Sequence, residues 1–132
     1  MSKSNILENL LLDEVLGGVN YAPAANVSVG LYTSSPADAG GGVEVTGGSY
    51  ARVTLANNLT NWPGAASGSK SNGVPIAFPT ATADWGIVTS FGVFDDQATP
   101  RLLYWGELAE SREILTGDTP SFSVGSLSIS EE

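Results

Sequence analysis

Apolar residues near the start of the chain recur with the spacing of a helix. Between residues 4 and 17 they share one broad helical face, formed by Ile6, Leu7, Leu10, Leu11, Val15 and Leu16. Asn5, with Glu8 three residues later, is typical of a helix start. Gly17-Gly18 is typical of a helix end. The pattern therefore predicts a short N-terminal α-helix that needs an apolar surface to lie on.

Two surfaces could cover the apolar face of this helix, and the sequence pattern does not choose between them. It can pack on the β-rich remainder of its own chain, or it can dock on a neighbouring subunit or a particle shell. In the second case residues 1–25 are a docking helix with its linker, and residues 26–132 are the β domain. The predicted partner-docking residues are Ile6, Leu7, Leu10, Leu11 and Val15.

From residue 26 onward the alternation has the period of β-strands. Val27, Val29 and Leu31 alternate with small or polar residues, and residues 50–56 alternate again. The strongest strand covers residues 85–94, and residues 102–108 return as its partner. Strands at short intervals with turn residues between them predict a mainly β fold, an antiparallel β-sandwich or jelly-roll-like domain behind the N-terminal helix.

The strongest strand carries a more detailed prediction about its two faces. One face is expected to hold Trp85, Ile87, Phe91 and Val93. On the other face, Gly86 and Gly92 leave room for a close neighbour.

The C-terminal strand pattern changes parity at a glycine. Phe122 and Val124 occupy even positions, whereas Leu127 and Ile129 occupy odd ones. A β-bulge at Gly125 would return both pairs to one face. Polar stretches at residues 34–42 and 62–73, rich in Gly and Ser, are predicted to be long loops.

Composition and charge remove several function classes. Charged residues make up 14% of the 132 residues, and the net charge is −9. Five scattered basic residues do not form a surface for nucleic acid. The longest apolar run is far too short for membrane insertion, and the N-terminus lacks signal-peptide features, which favours assembly in a cytoplasm. The absence of Cys and His excludes Cys/His zinc sites and His-dependent nucleophilic catalysis.

Two clusters of acidic residues could suggest catalysis or calcium binding, but each has a simpler interpretation. Glu107, Glu110 and Glu113 are the residue type of a glycosidase pair, yet they lie among ordinary surface residues near a turn or strand start. Asp95-Asp96 matches no calcium-loop spacing and is typical of a hairpin tip. We therefore expect no enzymatic activity, no metal and no cofactor.

Three aromatic residues are candidates for contact with a partner. Trp62, Tyr104 and Trp105 could lie at a protein interface or stack on a host surface glycan. The competing interpretation is that tryptophans in a β domain of this size fill its core.

Several blocks of the sequence, taken in order, carry a family resemblance. They are Leu31-Tyr32-Thr33, the run from Glu44 to Val53, the run from Ile76 to Gly86, the run from Leu102 to Leu108, and Gly117-Asp118 with Phe122. In this order the blocks resemble small virion structural proteins of tailed bacteriophages, usually labelled phage tail fibre proteins. They span most of residues 27–129, and the N-terminal helix lies outside them.

The resemblance implies a non-enzymatic structural protein of the virion, and it leaves the position on the particle open. Because the chain has no repetitive shaft, the first hypothesis is a capsid decoration (cement) protein, expected as a homotrimer on the head. The alternative is a tail-fibre or baseplate component involved in host attachment. A second alternative is a carbohydrate-binding module. The expected partners are further copies of the chain, phage capsid or tail proteins, and a host surface glycan.

Overall fold

The computed structural model describes residues 2–131, which form one helix and a set of antiparallel strands. The elements are β1 (Ser2–Lys3), α1 (Asn5–Gly17), β2 (Asn26–Ser34), β3 (Val43–Glu44), β4 (Val53–Ala56), β5 (Ser69–Ser71), β6 (Ile76–Ala77), β7 (Gly86–Phe94), β8 (Leu102–Ile114), β9 (Ser121–Phe122) and β10 (Ser128–Ser130). The prediction of a mainly β, antiparallel fold with a short N-terminal helix is confirmed.

A six-stranded sheet forms the body of the protein. Its strand order is β1-β8-β7-β2-β3, and β4 pairs with the first half of β2. The predicted alternation in β2 is correct, because Val29 lies opposite Val93 and Leu31 lies opposite Phe91 on the same face. All four of these side chains are buried, so this face of the main sheet forms one wall of the core.

Two short ladders cover the core face of the main sheet and make the arrangement sandwich-like. One ladder pairs β5 with β10, and the other pairs β6 with β9. Aromatic rings join the two layers, since the ring of Phe122 lies 6.2 Å from that of Phe91 and 6.2 Å from that of Phe78. The buried cluster between the layers also holds Trp62 and Ile76.

The predicted core face of the strongest strand is correct for Trp85, Phe91 and Val93 and wrong for Ile87, because β7 contains an irregularity. The pairing with β8 shifts between Val88 and Ser90, so the single residue Thr89 lies opposite a four-residue stretch of β8, residues 108–111. The shift turns Ile87 outward, where it is 53% exposed, and brings Val88 into the core with Phe91 and Val93. The same stretch carries β8 onward to Ile114, where the sequence suggested a turn or strand start.

The two glycines of β7 have different roles. A Cβ atom at Gly92 would lie 2.9 Å from Leu102 Cδ1 and 3.0 Å from Tyr32 Cε1, so the predicted close approach is correct there. Gly86 has more room, with Thr33 Cγ2 at 3.8 Å as its nearest neighbour, but its φ of +90° lies in the left-handed region. Gly86 is therefore needed for its backbone conformation at the start of the strand.

The C-terminal segment turns at Gly125, and the predicted bulge is wrong. The N–H of Ser126 donates to the carbonyl of Ser123 at 3.0 Å, and Gly125 has a φ of +79°. The turn leaves Val124 60% exposed and sends β9 and β10 to different ladders. Residues 62–73 are likewise more ordered than predicted, since they contain β5 and the buried Trp62.

Candidate assembly surface at the N-terminal helix

The N-cap of helix α1 lies one residue before the predicted cap. Ser4 is extended and buried, and its Oγ accepts a hydrogen bond from the backbone N–H of Leu7 at 3.2 Å. Ser4 is therefore the N-cap, and the cap predicted at Asn5 is wrong by one residue. The predicted end is correct, because Gly18 adopts a φ of +67° and its N–H donates to the carbonyl of Asp13.

The residues before the helix anchor it to the main sheet. Strand β1 pairs with β8 at Tyr104 and Trp105, and the N–H of Ser4 donates to the carbonyl of Leu103 at 2.8 Å. Asp38 Oδ1 accepts from Ser2 Oγ at 2.6 Å and from Trp105 Nε1 at 2.9 Å. These two hydrogen bonds lower the pKa of Asp38 from its usual value. The indole N–H of Trp105 is thus used to fix the N-terminus.

The two halves of α1 have different environments. In the first half Leu7 is buried, and Leu10 and Leu11 are half-buried. Beyond them, three apolar side chains of the second half and one just after the Gly18 cap face solvent: Leu12 (57% exposed), Val15 (75%), Leu16 (80%) and Val19 (59%). We refer to these four residues as the exposed helix end.

An apolar pocket of about 380 Å³ opens beside the first half of the helix. Its walls come from α1, from the main sheet and from the segment around β5. They include Leu7, Leu11, Val27, Trp62, Leu103 and Tyr104, with Lys70 and Glu131 also lining it. We refer to this space as the apolar pocket.

Three polar groups around the apolar pocket differ in how well they are paired. Trp62 Nε1 is buried and has no hydrogen-bond partner among residues 2–131. Lys70 Nζ donates to the carbonyl of Trp62 at 3.2 Å, and no carboxylate of residues 2–131 lies within 4.0 Å of it. Glu131, in contrast, accepts from Lys3 Nζ and from the hydroxyl of Tyr104, each at 2.6 Å.

The hydrogen bonds of Glu131 also change its pKa and that of Tyr104. Partial burial disfavours its charged form, but the hydrogen bonds from Lys3 and Tyr104 outweigh that effect, so the pKa of Glu131 lies below its usual value. Burial, together with the hydrogen bond to Glu131, raises the pKa of Tyr104. The rim of the pocket therefore holds one satisfied ion pair and one cation, Lys70, without a carboxylate partner.

The structure brings together some of the predicted contact residues and separates others. Leu7, Leu11, Trp62 and Tyr104 all line the apolar pocket, although they come from distant parts of the sequence. Of the remaining predicted docking residues, Ile6 is 44% exposed, and Val15 lies in the exposed helix end.

The three predicted contact aromatics differ in how much of their rings is free. Trp62 is only 6% exposed and belongs to the core cluster, so it offers no open face for a sugar. Tyr104 and Trp105 are half-buried. Glycan stacking at Tyr104 and Trp105 stays a prediction.

Sequence reasoning missed Lys70 and most of the exposed helix end. Lys70 lies in a polar stretch, and no local signal links it to the helix. Leu12 interrupts the helical apolar pattern, and Leu16 belongs to that pattern without standing out from it.

A second, wider cleft lies between the second half of β8 and residues 118–128, with a volume of about 1020 Å³. Phe91 and Phe122 lie on its floor, and Glu107, Glu110, Glu113 and Asp118 line it. We refer to this space as the acidic cleft. The three glutamates, considered above as a carboxylate set, are exposed, and their carboxylates make no hydrogen bond or ion pair with residues 2–131.

A family model described as podophage GP4 fiber I protein gp80 matches residues 2–130. This chain belongs to that family. No curated protein matches it. The family match confirms the resemblance to phage tail fibre-type structural proteins. Within residues 2–131, no helix is long and apolar enough to cross a membrane. In the same range no group of three or more His, Cys, Asp or Glu residues is arranged to hold a metal.

The family match changes two expectations about this fibre protein. It covers the residues of α1, whereas the blocks recognised in the sequence span most of residues 27–129, so the family match extends over the helix. It also favours the tail-fibre alternative over capsid decoration. The chain is a phage structural protein of the fibre type and a component of the virion.

Proposed function

We propose that this protein is a non-enzymatic component of a podophage tail fibre and contributes to the apparatus that attaches the particle to its host. The observation that carries the proposal is the match to the fiber I family over residues 2–130. Capsid decoration, the first hypothesis from the sequence, has no comparable support.

The fold supports a role in assembly. Soluble monomers rarely leave a contiguous apolar patch in solvent without a function. Here Leu12, Val15 and Leu16 are all more than half exposed on one short helix, next to a pocket with apolar walls. We propose that the docking function, assigned from the sequence to Ile6, Leu7, Leu10, Leu11 and Val15, belongs to the exposed helix end, because Leu7 is occupied within its own chain.

The division into a docking segment of residues 1–25 and a β domain of residues 26–132 stays a prediction. Strand β1 is part of the main sheet, and Leu7 is part of the packed interior. Removing residues 1–18 would therefore disturb folding as well as docking. Point substitutions in the exposed helix end separate the two effects.

The proposal is tested by position and copy number in the particle. Purified virions are analysed by quantitative mass spectrometry against the major capsid protein, and antibody-gold labelling locates the chain by electron microscopy. We expect a copy number far below that of the capsid protein, with label on the tail. Labelled heads and a ratio approaching that of the capsid protein would instead establish capsid decoration.

A further inference from the structure

We propose that the exposed helix end of one copy enters the apolar pocket of a second copy of this chain. The inference rests on the proposed function only in expecting several copies of the chain in one fibre assembly. The contact joins the exposed helix end of one copy to the apolar pocket of the other, and the properties of these two surfaces support it.

Both surfaces have apolar area that the chain does not cover by itself. Leu12, Val15, Leu16 and Val19 are between 57% and 80% exposed, and none of them lines the pocket of its own chain. The apolar pocket, at about 380 Å³, lies within the roughly 300–1,000 Å³ typical of sites that take up a compact apolar group. Burying two or three of these side chains is the main gain expected from the contact.

The charges of the two surfaces are complementary. The C-terminal end of a helix carries partial negative charge, which a basic residue in the last turn usually balances. The last turn of α1 has no basic residue, and Asp13 and Glu14 add two exposed carboxylates near it. Across the contact, Lys70 has no carboxylate partner among residues 2–131. A second copy would therefore supply the cation that the helix end lacks.

Hydrogen-bonding capacity points in the same direction. Lys70 Nζ, at the wall of the pocket, donates to the carbonyl of Trp62 at 3.2 Å and has further donor hydrogens to offer. The incoming helix end offers acceptors, since the last carbonyl groups of a helix have no partner within the helix. Asp13 and Glu14 offer carboxylate oxygens as well. Donors on one surface thus face acceptors on the other.

The placement of the two surfaces allows a closed assembly. Leu7 and Leu11 form one wall of the pocket, and the exposed helix end continues from the same helix. Because the surfaces are different, each copy can use both at once. We expect the association to close as a reciprocal pair or as a ring of defined size, which heterologous contacts form when their rotation closes.

The test measures the mass of the purified 132-residue chain by sedimentation at concentrations up to roughly 100 μM, a range that detects micromolar association. We expect a discrete oligomer. The double variant Val15→Gln/Leu16→Gln should raise the dissociation constant by roughly a hundredfold, because two side chains lose their burial. The control is Val124→Gln, the same kind of apolar-to-polar change at a residue that is 60% exposed in the Ser123–Ser126 turn and does not line the pocket. The control should associate like the unmodified chain.

A charge exchange identifies the two surfaces. Glu14→Lys and Lys70→Glu should each weaken association, and the combination of both in one chain should restore part of it. Circular dichroism and thermal unfolding confirm that each variant is folded. A chain that stays monomeric over the whole concentration range overturns the proposal, as does a Val15→Gln/Leu16→Gln variant that associates normally. A monomeric chain still found on the tail would refute this contact while leaving the proposed function intact.

Discussion

The apolar pocket and the acidic cleft are both open spaces beside the main sheet. They differ in the charge and polarity of the residues that a second copy of the chain would meet there. The pocket is lined by apolar side chains and has one cation without a carboxylate partner, Lys70. The cleft is wider but is lined by Glu107, Glu110, Glu113 and Asp118. Since the chain carries a net charge of −9, two copies that approach through their clefts repel each other.

The strand at the cleft is also protected against pairing. Beyond Tyr104 and Trp105, which pair with β1, the outer edge of β8 has no strand partner among residues 2–131. This part of β8 contains the four-residue irregularity at residues 108–111 and exposed glutamates, both of which discourage a second strand from adding to an edge. The exposed helix end has no such protection. Association is therefore expected where the residues around an opening are apolar and not acidic, and the size of the opening matters less.

The largest effect is expected from a substitution inside the pocket wall. Leu7→Ala removes a side chain that is 3% exposed and should lower the free energy of unfolding by about 2–5 kcal/mol. Val15→Ala, two turns further along the same helix, removes a side chain that is 75% exposed and should change it by less than about 0.5 kcal/mol. Urea unfolding of both variants measures the difference. Equal effects would show that the two halves of the helix are not distinct.

The second effect concerns Asn72, which follows β5 and binds two residues that line the acidic cleft, Ser123 and Leu127. It is 1% exposed, its Nδ2 donates to the carbonyls of Val74 and Ser123, and its Oδ1 accepts from the N–H of Leu127. Asn72→Ala leaves these buried groups unpaired and should cost about 2–3 kcal/mol. The control Asn58→Ala removes a side chain that is exposed and caps a local turn, and should cost about 1 kcal/mol or less. Thermal unfolding of the two variants compares them.

The elements that the sequence predicted best are those specified by local patterns. The predicted N-cap of the helix was wrong by only one residue, and its glycine end was correct. Caps are specified by a few neighbouring residues, so the local sequence is enough to place them closely. The alternation of β2 also predicted its buried face correctly, because Val27, Val29 and Leu31 all turn toward the core.

The features that the sequence did not predict depend on distant partners. Ile87 and Val88 are adjacent and both apolar, so the pattern alone does not tell which one faces the core; the irregular pairing with β8 decides it. Strand β5 is a three-residue polar stretch, and it forms because Lys70 lies opposite Ile129, far away in the sequence. The same pairing carries Lys70 to the apolar pocket, which explains why no local signal revealed it.

The third effect tests the acidic cleft directly. The triple variant Glu107→Gln/Glu110→Gln/Glu113→Gln removes three exposed charges that have no partner among residues 2–131. Each change should alter the free energy of unfolding by less than about 0.5 kcal/mol. If the cleft only opposes association, the triple variant should associate through the pocket with a slightly lower dissociation constant. The difference should be clearest at low salt, where charge repulsion is least screened. Sedimentation at two salt concentrations measures this, and weaker association would indicate that the cleft itself holds a partner.

The smallest effect is a pH dependence at the rim of the pocket. Hydrogen bonds from Lys3 and Tyr104 outweigh the opposing effect of burial and hold the pKa of Glu131 below its usual 4.5. The folded state therefore gains stability from this carboxylate above pH 4.5, and that gain is lost as the pH falls through the lower folded-state value. Glu131→Gln should remove part of the acid-induced loss of stability below pH 4.5.

A second carboxylate provides the reference for this measurement. Burial opposes the charged form of Glu44, but hydrogen bonds from Arg52 and Tyr50 outweigh it and also lower its pKa. Arg52 binds both carboxylate oxygens of Glu44, at 2.9 and 2.8 Å, and this carboxylate is more enclosed than that of Glu131. Glu44→Gln should therefore flatten the acid limb of the stability curve more than Glu131→Gln does. Urea midpoints from pH 3 to pH 7 compare the variants, and an unchanged acid limb in Glu131→Gln would show that solvent screens the pair at the rim.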